Sequence, residues 1–157
     1  MEPDIETFNK AKDKAQALFS VQREIWSPYF KQNIILNSDG FHHLQFSAER
    51  ERDKKEQILK FRLLPLGLEI IRKAGTIQEY RKGYAAVGNR YARDGMVKMK
   101  GAEYWGLVAI VGENKKAKVR AVLRRVGDGN ITFWSVMFGS KMKAGEQRLF
   151  AEGIEDE

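Results

Sequence analysis

Apolar side chains recur at helical spacing in two stretches of this chain, and β-branched and aromatic residues gather in three later runs. Between residues 3 and 26, Ile5, Phe8, Ala11, Ala15, Leu18, Phe19, Ile25 and Trp26 predict one amphipathic helix, closed by Ser27-Pro28. From Glu51 to Lys73 the series Ile58, Phe61, Leu64, Leu68 and Ile71 predicts a second helix, ended near Gly75 and kinked or split at Pro65. Between them, "NIILNSDG" reads as a short extended segment entering a turn. "TIQEYRK" is read as a strand, and "GYAAVGNRYARDG" as a glycine-punctuated loop. "AEYWGLVAIVG", "KAKVRAVLRRVG" and "NITFWSVMFG" then form the clearest pattern, a three-stranded antiparallel meander.

Helices first and strands afterwards favour an α+β fold over a parallel α/β sheet. The expected architecture is N-terminal helices packed on one face of a C-terminal antiparallel sheet of about four strands. Residues 1–30 are read as the first helix, either packed on the domain or joining it to a parent protein upstream. Residues 31–138 are read as the domain itself, and residues 139–157 as a polar acidic tail, frayed or briefly helical.

Asp128-Gly129 is a dipeptide that two-residue type I′ hairpins favour, which fixes a register for the last two strands. Gly127 then opposes Asn130, Arg124 opposes Phe133, Leu123 opposes Trp134 and Val122 opposes Ser135. One face collects Val119, Ala121, Leu123, Trp134, Val136 and Phe138, which needs the helices as cover. The other collects Arg120, Val122, Arg124, Phe133, Ser135 and Met137. On this reading Trp105 and Trp134 are core residues, and two guanidinium groups flank a hydroxyl on the opposite face.

Composition narrows the class. A chain of 157 residues, 43% apolar with nine phenylalanines, is long enough for one domain with a true core. No apolar run approaches the roughly 20 residues of a membrane helix, and residues 1–30 lack a signal-peptide core. The absence of cysteine removes disulfides, thiolate nucleophiles and cysteine-held metals, which fits a reducing compartment such as the cytoplasm of the chain's own host or of a target cell.

Net charge changes the picture more. The chain carries +7, but residues 74–125 hold twelve Lys or Arg against four Asp or Glu, and everything else sums to −1. Such a basic section suits a phosphate-rich partner, RNA above all, although a solvated basic face has the same composition. Tyr80, Arg81, Tyr84, Arg90, Tyr91 and Arg93 interleave rings and cations in a manner that suits single-stranded RNA, with local packing of a loop as the alternative.

The candidate chemistry is metal-free. Few acids lie among the basic groups, HExxH is absent, and the two histidines have no third ligand nearby, so no metal and no other cofactor is expected. RNA cleavage without a metal needs proton-transfer groups and cations for the phosphorane, the 2′-oxygen itself being the nucleophile. Histidine and arginine supply these. If residues 41–46 are extended, His42 joins Leu44 and Phe46 while His43 points the other way, toward a groove; a helical segment weakens that distinction. A histidine in this position can equally be structural.

"DGFHHL", "EQILKFRLLP", "YWGLVAIV" and "VLRRVGDGNITFWSV" resemble the phage and mobile-element nuclease domains grouped with the barnase, EndoU, colicin and RelE ribonucleases, over about Asn33 to Met137. The resemblance implies helices followed by a four-stranded antiparallel sheet. It also implies a metal-independent endoribonuclease, a toxin or effector of a phage, mobile-element or bacterial conflict system, leaving 2′,3′-cyclic phosphate. It places His43, Arg124 and Ser135 at the active site. Arg81, Arg120, His42, Arg50 and Tyr80 are the candidate substrate contacts, and an acidic antitoxin or immunity protein is the implied partner, with no membrane. The competing readings are a non-catalytic RNA-binding module and a structural or interaction domain of a larger phage protein.

Overall fold

The computed structural model describes residues 3–47, 50–87, 98–111, 117–138 and 148–149. Arg90, Tyr91 and Arg93 of the basic-aromatic run lie outside these, as does the rest of the 139–157 tail. The described elements make an α+β fold. Its helices are α1 (Ile5–Val21), α2 (Ser38–Gln45) and α3 (Lys54–Lys73). Its strands are β1 (Glu24–Ser27), β2 (Gln32–Ile35), β3 (Glu79–Val87), β4 (Lys98–Val111), β5 (Ala117–Val126), β6 (Thr132–Phe138) and the two-residue β7 (Arg148–Leu149).

The expected meander forms the centre. β3, β4, β5 and β6 pair antiparallel in sequence order. The sheet is nevertheless larger than about four strands, and mixed rather than antiparallel, with order β1-β2-β6-β5-β4-β3-β7. The β1-β2 hairpin joins β6 in parallel through Ile35 and Thr132, and β7 joins β3 in parallel. Both additions come from segments too short for a period to show in the sequence.

Helix α1 stops at Val21, well before Trp26, and the remaining positions become β1 with Ile25 inward and Trp26 largely exposed. Asp4 caps α1 by accepting from the Thr7 amide. Phe8, Ala15 and Phe19 of α1 enter the same core as Leu44 of α2, Leu64, Leu68 and Ile71 of α3, and Trp105, Leu107, Leu123, Phe133 and Val136 of the sheet. Helix α1 and β1 thus contribute Phe8, Ala15, Phe19 and Ile25 to this core. Burying each such Leu or Phe contributes about 1.5–3 kcal/mol.

Pro65 does not split α3, which runs unbroken for 20 residues. Its ring lies on the exposed side, and packing of the opposite face against the sheet outweighs one missing backbone bond.

Residues 41–45 are helical, and only Phe46 is extended. Asn37 accepts from the Gly40 amide and starts α2, so the histidines sit on a helix. Gly40 is where α2 touches β6: a Cβ there would stand 2.3 Å from the Phe133 carbonyl oxygen. Gly40→Ala should therefore push α2 off the strand and lower stability by roughly 1–3 kcal/mol, read as a reduced urea midpoint. An unchanged midpoint would show that this seat is not close-packed.

The β5-β6 hairpin departs from the expected register from its turn, centred on Gly127-Asp128 rather than Asp128-Gly129, as far as Leu123. The turn closes Val126 on Gly129 (3.1 Å), with positive φ at Gly127 (55°). Arg124 pairs with Thr132 and Leu123 with Phe133, whereas Val122–Ser135 and the pairs beyond it are as expected. A bulge between Val122 and Leu123 absorbs the difference, leaving Trp134 as the extra residue. Phe133 accordingly enters the core, while Trp134 packs with Tyr104 and Val122 on the other face.

Candidate functional site

The bulge assembles the site, because it sets the Trp134 indole where three elements meet. From α2, the His43 ring stacks on Trp134 with centroids 4.0 Å apart and planes 19° from parallel. From β5, the Arg124 guanidinium lies 3.6 Å from the Trp134 ring centre. Ser135 follows directly in the chain, fully buried, and its Oγ accepts from Lys60 Nζ of α3 at 3.0 Å. His43 and Arg124 thus meet on the Trp134 ring, while Ser135, the next residue in the chain, turns its hydroxyl to Lys60.

His43 is 4% exposed and its surroundings are cationic. Arg52 donates Nε to the His43 carbonyl (3.1 Å) and sets NH2 3.3 Å from His43 Nε2. A guanidinium only donates, so Nε2 is the acceptor and the ring proton belongs on Nδ1. Burial, then repulsion from Arg52, Lys60 and Arg124, pulls the His43 pKa down to about 3. The ring is neutral at physiological pH. It is not the groove-facing, freely titrating histidine that strand alternation suggests, since helix α2 turns it inward.

Arg52 is itself held by its backbone: its amide donates to Gln45 O (2.8 Å) and its carbonyl accepts from Gln57 Nε2 (2.6 Å). Lys60 is 3% exposed and also donates to the Val136 carbonyl (3.1 Å). Desolvation first, then Arg52, brings its pKa down to about 7, with Glu56 opposing and Arg120 adding to the fall.

The remaining candidates separate. Arg81 pairs with Tyr104, which pairs with Arg124, so these three share a rung and a face. Tyr80 points to the helix side, packs on Trp105 and donates to Glu103 at 2.8 Å; burial, then that carboxylate, lifts its pKa to about 12. Arg120 is buried and committed to Glu79 at 2.6 Å, so it is not a peripheral contact. His42 is exposed and stacks on Phe46, and Arg50 pairs with Glu56 at 3.8 Å. Arg125 bonds Glu103 on the helix side.

Sequence reasoning missed Lys60 and took Trp134 for core. Lys60 did leave a signal: Gln57, Lys60, Leu64 and Ile71 fall on one helical stripe, so a lysine stands where the spacing calls for an apolar residue. The bulge left none, since no glycine marks it.

No cluster of three or more His, Cys, Asp or Glu side chains placed to hold a metal is found among the described residues, and no described helix is long and apolar enough to cross a membrane. Comparison of the chain with protein-family models, curated proteins and solved structures gives no significant match. The reading of the cluster therefore rests on its own chemistry.

Proposed function

We propose that the protein is a metal-independent endoribonuclease acting at the Trp134-centred cluster, with the barnase and RelE type of ribonuclease as its nearest functional analogy. The observation that carries this reading is the meeting of His43 and Arg124 on the Trp134 ring, with Arg52 bonded to His43, and Ser135 next in the chain bonded to the buried Lys60. Cations gathered at one place suit a phosphate, because each supplies a charge-assisted hydrogen bond to its oxygens.

In this reading Arg124 holds the scissile phosphate and stabilises the phosphorane. The anion competes with His43 for the Arg52 NH2 group, which frees the Nε2 lone pair, and its negative charge offsets the cationic repulsion that keeps the ring neutral. His43 then takes the 2′-hydroxyl proton as the 2′-oxygen attacks phosphorus. The bond to the 5′-oxygen breaks, that oxygen takes a proton from solvent water, and a 2′,3′-cyclic phosphate remains. Arg81, on the same rung as Arg124, extends the contact along the backbone.

A second reading, a non-catalytic RNA-binding module, is favoured by the burial of His43 and Ser135. Incubating purified protein and RNA with excess chelator separates the two. Fragments ending in 2′,3′-cyclic phosphate are expected; salt-dependent binding without fragments would establish the second reading instead.

A further inference from the structure

We infer that Lys60 is a positioning residue for this site: seated between Ser135 Oγ and Val136 O, its ammonium sets the direction in which the Ser135 hydroxyl donates. The inference rests on the ribonuclease reading and names a participant that the histidine, arginine and serine leave open.

The geometry carries it. Lys60 projects from α3 to β6, and its two acceptors, at 3.0 and 3.1 Å, are both neutral. A buried ammonium held only by neutral oxygens is costly, and a methionine would fill the same space without that cost. While Lys60 is charged, all its hydrogens donate, so Ser135 Oγ must accept and its own O–H is left to point elsewhere. Once Lys60 loses a proton, the amine can accept from Ser135, and the hydroxyl turns inward. The direction of the hydroxyl thus follows the charge on the lysine.

That charge changes near neutral pH, the amine's pKa having fallen to about 7. The groups facing it are Glu56 on its own helix, Arg52 before that helix, Arg120 on β5 and His43 on α2; β6 offers only the hydroxyl and the carbonyl. An entering phosphate favours the ammonium over the amine. Binding should therefore draw a proton from solvent and strengthen as pH falls through neutrality.

The test is isothermal titration calorimetry of the full chain with a 2′-O-methyl RNA oligonucleotide, which binds but cannot be cleaved, in two buffers of different ionisation enthalpy. At pH 7 the wild type should take up about half a proton. Lys60→Met should lose that uptake, and Lys60→Arg should keep affinity while flattening the pH profile of cleavage between about pH 6 and 8. Unchanged uptake in Lys60→Met would overturn the inference. Should Lys60→Met not fold, the ¹³Cε resonance of Lys60 in the wild type gives the same answer. A midpoint near neutrality that rises with RNA supports it, and one at an ordinary lysine value, or unmoved by RNA, overturns it. RNA binding and cleavage with Lys60-independent proton uptake defeats this inference alone. A wild type that binds no RNA defeats it together with the ribonuclease reading.

Discussion

Arg124→Ala should reduce kcat/KM for RNA cleavage by about 10²–10³-fold, the usual loss when one preorganised donor to a developing anion is removed. The effect should fall on chemistry more than on the fold. Arg124 is half-exposed, its Nε makes no hydrogen bond, and its main contact is the Trp134 ring. Loss of that contact costs about 0.5–1 kcal/mol, a small shift in melting temperature. Arg124→Lys keeps the charge and loses the planar fork, so it should recover binding better than turnover. Equal activity in the wild type and Arg124→Ala would remove the residue from the mechanism. A large fall in stability would instead make it a structural arginine.

His43 should make the protein acid-sensitive in a definite window. Its pKa is about 3 in the folded chain against an ordinary value of 6.5. Between those two values the unfolded chain binds a proton that the folded chain does not, so stability falls as pH drops from 6.5 toward 3. Above 6.5 the group contributes nothing to the pH dependence. A difference of roughly three and a half pK units corresponds to about 5 kcal/mol by the bottom of the window. Glu103, whose pKa is lowered because its bonds to Arg125 and Tyr80 outweigh desolvation, also loses stability in acid. The informative quantity is therefore the difference between wild type and His43→Phe, which keeps a ring against Trp134 but cannot take a proton. Urea unfolding at several pH values should give a steeper acid limb for the wild type. Parallel limbs would mean that the ring is open to solvent and titrates normally.

Much of the fold was legible because long elements carry long periods. Helix α3 was readable from Ile58 to Ile71, and β4, β5 and β6 from their β-branched and aromatic runs. Elements of four residues or fewer were harder: β2 was readable only as the extended start of "NIILNSDG", and β1 and β7 offer too few positions to distinguish a strand from a loop. For the candidate site residues the sequence carried the residue types and not their environments. His43, Arg124 and Ser135 could be picked from residue type and register, yet the burial of His43 depends on α2 turning it toward β6, which no local pattern encodes. Arg120 shows the same limit. Strand alternation put it correctly on the Arg124 side, while its partner Glu79 lies 41 positions earlier in the chain, two strands away in the sheet. Lys60 was visible as a charge in an apolar stripe, and its meaning emerged only with Ser135 beside it.

The irregularity at Trp134 makes this surface depend on parity. With one residue fewer in β6, plain alternation would return Trp134 toward the helices and Phe133 toward Arg124, and the stacked imidazole and guanidinium would lose their common platform. Chains descended from a common ancestor could therefore keep every charged side chain discussed above and still lose the cluster through a single deletion. Point substitutions at the same strand would tune the cluster, whereas a change in residue count would switch it on or off.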